Sequence, residues 1–181
     1  KRERVPVIIR STFSDAEGTV ISNAFEQDEI EIKGDKPVTG ITSRTNLILI
    51  KIHPLNQKED ASAWGCFRVL AEADISVDFI NVRPDLITFM INDTLKEEAS
   101  ELLERKGYNY EIDTDFIKVS VVGAGMTGVP GVMARVVEAL ADSNVPIYQT
   151  TDSHTTISCL INRDDEEVGV CALHDYFELG N

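Results

Sequence analysis

From Asn46 onward the apolar and polar positions change period in a regular order. Leu47 to His53 is a β-rich run. The polar stretch Leu55 to Ala61 follows, with Asp60 as a candidate N-cap, and predicts a helix on which Trp64, Phe67, Leu70 and Ala71 share a core-facing side. Asp74 closes that helix. In Ile75 to Val82, "ISVDFINV", Val77, Phe79 and Asn81 alternate against Asp78, Ile80 and Val82. Pro84-Asp85 interrupts the run, so Leu86 to Ile91 reads as the second arm of a hairpin. Thr94-Leu95-Lys96-Glu97 has the form of a capping box. Leu95, Ala99, Leu102 and Leu103 then recur at helical spacing up to Gly107, and Tyr108 to Ile112 reads as a short strand. The order is β-α-β-β-α-β.

The same order then repeats about 70 residues further on, a period suited to two small domains rather than to a solenoid. Ile117 to Val122 reads as a strand, Pro130 to Ala141 as a helix, Ile147 to Thr151 and Thr155 to Ile161 as strands, and Asp164 to Phe177 as a helix. The second copy lacks a final strand. Val38 to Thr42, "VTGIT", lies unassigned before the first copy and is a candidate to supply it, which would nest the first domain inside the second.

The second copy contains Gly123-Ala124-Gly125-Met126-Thr127-Gly128 after a strand and before a helix, the order of a dinucleotide-binding turn, with Asp152 near the spacing of a ribose-binding acid. A dinucleotide fold begins its helix near the second glycine, which would put Pro130 inside the helix at a cost of about 3 kcal/mol. A helix starting near Pro130 instead gives the proline its favoured first-turn position. The glycines then belong to a loop ahead of the helix. The following hairpin is antiparallel, whereas a dinucleotide fold needs parallel strands.

Charge narrows the classes further. Seventeen Lys and Arg against 31 Asp and Glu give the 181 residues a net charge of −14, which repels phosphate backbones and anionic membranes, so no nucleic acid and no membrane partner is expected. Hydrophobic residues make up 43%, enough for a packed core. Cys66, Cys159 and Cys171 show no paired metal spacing and read as buried free thiols of a cytoplasmic protein. His154 in "DSHTT" reads as a turn histidine, and His53 and His174 have no partner at metal or nucleophile spacing, so neither a metal site nor a catalytic residue is expected. Trp64 reads as core. The run Asp164 to Glu167 suits the positive end of a helix. The chain begins on Lys1 in mid-pattern, in the manner of a fragment or a processed subunit.

"KVSVVGAGMTGVPGVMARVVEALADSNVPI", "SHTTISCLI" and "ALHDYFELG" resemble the C-terminal regulatory half of bacterial aspartate kinases, and "VPVIIRSTFSDAEGTVI" resembles the segment joining it to the kinase domain. "ISVDFINV" and "SHTTI" are most similar to the monofunctional Gram-positive type associated with feedback by diaminopimelate or lysine. The resemblance implies an α+β fold of two ferredoxin-like βαββαβ ACT domains, the first inserted in the second. Residues 1–37 would be the linker from the catalytic domain, 44–114 the first ACT domain, and 38–43 with 115–181 the second.

It also implies a homodimer paired through ACT domains, with amino-acid effectors at the interfaces. The apolar runs "LILIKI" and "IKVSVV" read as the edge strands that such pairing would cover. In the second domain the effector positions would be Met126, Thr127, Gly128, Val129, Pro130, Gly131 and Val132, with Asn144, Val145, Pro146 and Ile147. In the first they would be the Leu55 to Ala63 loop with Ser76, Val77, Asp78 and Asn81, a partly exposed Asp78 holding the ammonium group. "LNQKEDASAWG" lacks the Asp-Pro-Gly turn of many threonine-responsive relatives. The implied function is feedback control, by lysine, diaminopimelate or threonine, of an enzyme making 4-phospho-L-aspartate. No cofactor is expected in this chain, because ATP and magnesium would belong to a catalytic domain outside it. Two alternatives stand beside this reading: a free-standing amino-acid-binding module, separable by the mass of the native gene product, and an oxidoreductase, which would require nicotinamide binding.

Overall fold

The computed structural model describes residues 7–9, 19–21, 37–54, 64–123, 126 and 129–180. The chain divides into two compact units, Lys1–Asp35 and Lys36–Asn181. In the first, β1 (Val7–Ile9) and β2 (Thr19–Ile21) pair antiparallel.

The larger unit holds two four-stranded antiparallel sheets and four helices. One sheet has the order β5-β6-β4-β7, from β4 (Leu47–Ile52), β5 (Asp78–Val82), β6 (Ile87–Asn92) and β7 (Tyr110–Asp113). It carries α1 (Gly65–Glu72) and α2 (Lys96–Arg105). The other has the order β3-β8-β10-β9, from β3 (Gly40–Arg44), β8 (Phe116–Val122), β9 (Gln149–Asp152) and β10 (Thr156–Asn162). It carries α3 (Val132–Asp142) and α4 (Glu166–Tyr176). β3 pairs antiparallel with β8 from Gly40 opposite Val122 to Arg44 opposite Lys118, the position that β7 holds beside β4.

The repeat is visible in detail. Asp74 and Asn144 both take positive φ, 58° and 57°, just after the first helix of each half, and the next residue's N–H, from Ile75 or Val145, returns to a helix carbonyl at 2.9 Å. Asn92 and Asn162 each end a strand and accept an N–H two residues on, from Thr94 at 3.0 Å and Asp164 at 2.9 Å. Each thereby caps a short 3-10 turn that leads into the second helix.

Alternation along the strands decides what each face meets. Ile48, Ile50 and Ile52 of β4, with Ile87, Phe89 and Ile91 of β6, bury against α1 and α2, where Cys66, Leu70, Ala99 and Leu103 complete the core. Ile117, Val119 and Val121 of β8 do the same with Ile157, Cys159 and Ile161 of β10 against Val136, Leu140 and Leu173. The opposite faces are also covered, by each other: Leu47, Leu49, Phe79 and Met90 of the first sheet bury with Leu160 of the second. Ser120 and Ser158 satisfy one another there at 2.8 Å, as buried hydroxyls must.

Several expectations are corrected. The runs "LILIKI" and "FIKVSVV" form central strands, not edges; their continuous apolar character comes from burial on both faces. Trp64 stands at the N-cap of α1, ahead of its core-facing turns, and is 61% exposed; Ala71 is exposed too. The expected capping box gives way to Asn92, which also takes the Thr94 hydroxyl at 2.7 Å. α3 starts two residues after Pro130, with Gly131 as its N-cap. Cys66 and Cys159 are buried, which pushes both thiols up to about 11, but Cys171 is exposed on α4. The expected cap at Asp60 lies outside the described residues. Among the described residues no helix is long and apolar enough to cross a membrane.

Candidate functional site

β8 delivers the chain to Gly123, where Pro37 and Val38 pass directly overhead. A β-carbon on Gly123 would lie 1.9 Å from the Pro37 carbonyl oxygen. The Gly123 N–H donates to the Thr155 carbonyl at 2.9 Å, and the Thr39 N–H donates to the Val122 carbonyl at 2.7 Å. This glycine is required by the crossing of β3's approach strand, which accounts for the first position of the glycine motif without any phosphate.

Beyond it Met126 turns into the core, at 6% exposure, and its carbonyl accepts the Val129 N–H at 3.2 Å. Gly131 sits at φ +89°, a left-handed position suited to glycine, and hands the chain to α3. Gly131 has no side chain with which to cap that helix, and the first-turn N–H groups of any helix have no partner within it. An open groove of about 660 Å³ lies between this loop and the end of β9. Met126, Val132 and Ile157 floor it, and Val129 and Met133 form an apolar wall. Thr150, Thr151, Asp152, Ser153 and His154 form the opposite wall. Among the described residues no group of three or more His, Cys, Asp or Glu is arranged to hold a metal ion.

Of the expected effector positions in the second half, Met126, Val129, Gly131 and Val132 line this groove, and Pro130 is an exposed turn residue beside it. Thr127 and Gly128 lie outside the described residues, as does the Leu55 to Ala63 loop. Asn144, Val145, Pro146 and Ile147 stand at the other end of α3, about 16 Å away for an 11-residue helix, with Val145 and Ile147 packed into the core. The polar wall from Thr150 to Ser153 is not among the expected effector positions, and the one residue of it with a sequence signal is Asp152, at the spacing of a ribose-binding acid.

In the first half Ser76 is exposed and Val77 packs on the core. Asn81 lines a smaller cavity of about 200 Å³, together with Lys51, Arg83, Tyr148 and Gln149. Asp78 is engaged within the chain. One oxygen accepts the Phe79 N–H at 2.8 Å; the other is held by the Lys118 ammonium of the second sheet, with the Arg44 guanidinium at 3.6 Å. Burial alone would raise the Asp78 carboxyl, but Lys118 by hydrogen bond and charge, the Phe79 N–H and Arg44 outweigh it and hold it below the usual 3.8. Nearby, Gln149 joins the sheets by donating to the Phe79 carbonyl at 3.2 Å and accepting from the Thr88 hydroxyl at 2.9 Å. Arg83 pairs with Asp85 at 2.6 Å, on the surface.

Residues 111–175 match the family model described as ACT domain. Aspartokinase 1 of Bacillus subtilis (strain 168) is 35% identical over 176 residues, a match covering 97% of this chain and 43% of that protein. The regulatory subunit of aspartate kinase from Thermus thermophilus, in its ligand-free form, superposes with a TM-score of 0.71 at 29% identity, covering 78% of this chain and 99% of that one. Aspartate kinase of Clostridium acetobutylicum shares the fold, with a TM-score of 0.79 at 22% identity over 96% of this chain and 41% of that one. The chain thus spans less than half the length of the curated relatives it matches.

Proposed function

We propose that this chain, homologous to the regulatory region of the aspartokinases, senses an end-product amino acid and passes the signal to a kinase domain that makes 4-phospho-L-aspartate from ATP and L-aspartate. ATP and magnesium would belong to that domain, in the cytoplasm, with residues 1–37 as the linker. The observation that carries the reading is the groove at the start of α3. The N–H groups at the start of α3 suit an α-carboxylate, and the opposite wall offers oxygens to an ammonium group. Ligand binding that favours one geometry over another would then bias the kinase by a coupling of about 1–3 kcal/mol.

Pairing of β3 with β8 supports the nested arrangement, residues 44–114 forming one ACT domain inside another built from 38–43 and 115–181. A homodimer through these domains is supported by β9, which has no neighbour on its outer edge among the described residues, and by the exposed apolar stripe of Val129, just ahead of α3, with Met133 and Val137 on it. Antiparallel pairing of two β9 edges about a two-fold axis sets the start of one strand beside the end of the other. The Asn144 to Ile147 segment of one copy would thereby close the groove of the second, uniting the two sets of expected effector positions. Sedimentation should give twice the monomer mass, and a single-chain species at micromolar concentration would rule the pairing out. The function itself is tested by titration calorimetry of the chain with L-lysine, meso-diaminopimelate and L-threonine. Saturable binding of at least one is expected; binding of none would end the sensor reading.

A further inference from the structure

The repeat breaks at Phe79. Asp74 and Asn144 share a positive φ, and Val82 stands opposite Ile87 as Asp152 stands opposite Ile157, so residues 74–82 correspond to 144–152 and Phe79 to Gln149. Phe79 takes φ 55°, a left-handed conformation that a bulky residue rarely adopts, and Gln149 does not share it. The register of β5 on β6 shifts at the same place, between Asp78 and Asn81. Side chains engage the Phe79 main chain there: its N–H donates to the Asp78 carboxylate at 2.8 Å, and its carbonyl accepts from the Gln149 amide of the other sheet at 3.2 Å.

We propose that Gln149 couples the groove at the start of α3 to the bulge of β5, so that a ligand lodged against β9 tightens the outer strand of the other half. This rests on the sensor reading above and names the residue that carries its signal between the halves. The two faces of β9 meet different surroundings. Thr150 and Asp152, opposite Cys159 and Ile157 of the helix-side core, line the groove, while Gln149, opposite Leu160, turns to the first sheet. A single peptide thus separates Gln149 from the groove wall. Both ends of its carboxamide are engaged, since the oxygen accepts from the Thr88 hydroxyl at 2.9 Å while the nitrogen holds Phe79. β5 and β9 are the outer strands of their sheets, each with a neighbour on one side only among the described residues. Beside the clamp, the cavity of about 200 Å³ lined by Asn81 and Gln149 leaves β5 room to shift. Fixing β9 therefore fixes the donor that holds a strained residue of β5. Lys118 also ties β5 to the second sheet, through Asp78, but it belongs to central β8 and does not line the groove.

The test is hydrogen exchange read by mass spectrometry on the whole chain, on Gln149→Met and on Gln149→Glu. Each is measured without ligand and with whichever of L-lysine, meso-diaminopimelate and L-threonine calorimetry shows to bind. Without ligand, both variants should exchange about threefold to tenfold faster in residues 75–83, the effect of one lost hydrogen bond, and at the parent's rate in residues 110–113, the other outer strand of that sheet. Gln149→Glu keeps an acceptor for Thr88 and loses the donor to Phe79, so agreement between the variants assigns the effect to the Phe79 bond. Ligand should slow exchange in both 150–157 and 75–83 of the parent. In the variants binding and the slowing in 150–157 should persist, while the slowing in 75–83 should vanish. Cooperative melting verifies that each variant is folded, and either one suffices for the comparison. Parent-like exchange in 75–83 of the ligand-free variants overturns the clamp. Slowing confined to one segment of the parent, or slowing in 75–83 that survives in a variant, overturns the coupling while leaving the sensor reading intact. A parent that binds none of the three amino acids overturns the coupling together with the sensor reading.

Discussion

Gly123→Ala is expected to lower the melting temperature by on the order of 10 °C. The added β-carbon would meet the Pro37 carbonyl oxygen at 1.9 Å, with the Pro37 carbonyl carbon and the Val38 α-carbon both at 2.9 Å. All three belong to the main chain, so no side chain can swing aside. Relief requires the approach to β3 to lift away from β8, straining the Thr39 to Val122 hydrogen bond at 2.7 Å and shifting Val38, which is only 2% exposed. Overpacking in a core costs about 1–3 kcal/mol, more where the backbone must move, and in a domain of this size each kcal/mol displaces the transition by about 2–4 °C. Gly40→Ala is the control, because nothing lies within 4 Å of its added carbon and it opens β3, the strand whose approach Gly123 crowds. It should melt within about a degree of the parent, as surface substitutions usually do. Thermal unfolding followed by circular dichroism reads both. A Gly123→Ala protein that melts beside the Gly40→Ala control would remove the structural account of this glycine and reopen a ligand role for it.

Much of this architecture is legible in the chain, because periodicity reports local burial. The repeated order of strands and helices, the hairpin broken at Pro84-Asp85 and the spare strand near Val38 all follow from runs whose period is fixed by their own backbone. Burial on a second face has no such local signature. Leu47, Leu49 and Met90 meet Leu160 across a sheet interface that joins residues more than 60 positions apart, so "LILIKI" reads equally well as an edge strand or as a central one. The caps were displaced for a related reason. Thr94 has the spacing of a capping box, but Asn92 reaches the orphan N–H groups first through a 3-10 turn that no residue pattern announces. In the groove, the glycine loop stands out in sequence because glycine is rare and informative. The Thr150 to Ser153 wall looks like an ordinary polar edge strand until the fold sets it beside Met126 and Val129.

Asp78→Ala is expected to destabilise the chain by about 1–2 kcal/mol, rather than leaving the fold untouched as its partial exposure suggests. The Asp78 side chain is 43% exposed, but the Lys118 ammonium that it holds belongs to a side chain only 14% exposed, so removal strands a largely desolvated cation between the sheets. A hydrogen bond to a charged group contributes about 1.5–3 kcal/mol, and solvent reaching the aspartate reduces that toward the lower figure. The Phe79 N–H also loses its acceptor at 2.8 Å, at a residue held with φ 55° in the irregular part of β5. Asp78→Asn preserves shape and isolates the charge, and its pH dependence has a definite sign. Because the folded carboxyl lies below its ordinary 3.8, the stability it confers is fully present above that value and is lost as the pH falls through the folded one. The gap between the parent and Asp78→Asn in chemical denaturation should therefore be constant from neutral pH to about 5, then close in more acid solution. High salt should narrow it as well, since both Asp78 and Arg44 are reachable by ions. The same pair bears on ligand binding: an effector ammonium directed to Asp78 has to displace Lys118 from it. A parent and an Asp78→Asn variant that unfold at the same denaturant concentration at pH 7, or a gap that persists unchanged below pH 3, would show that the two sheets do not depend on this ion pair.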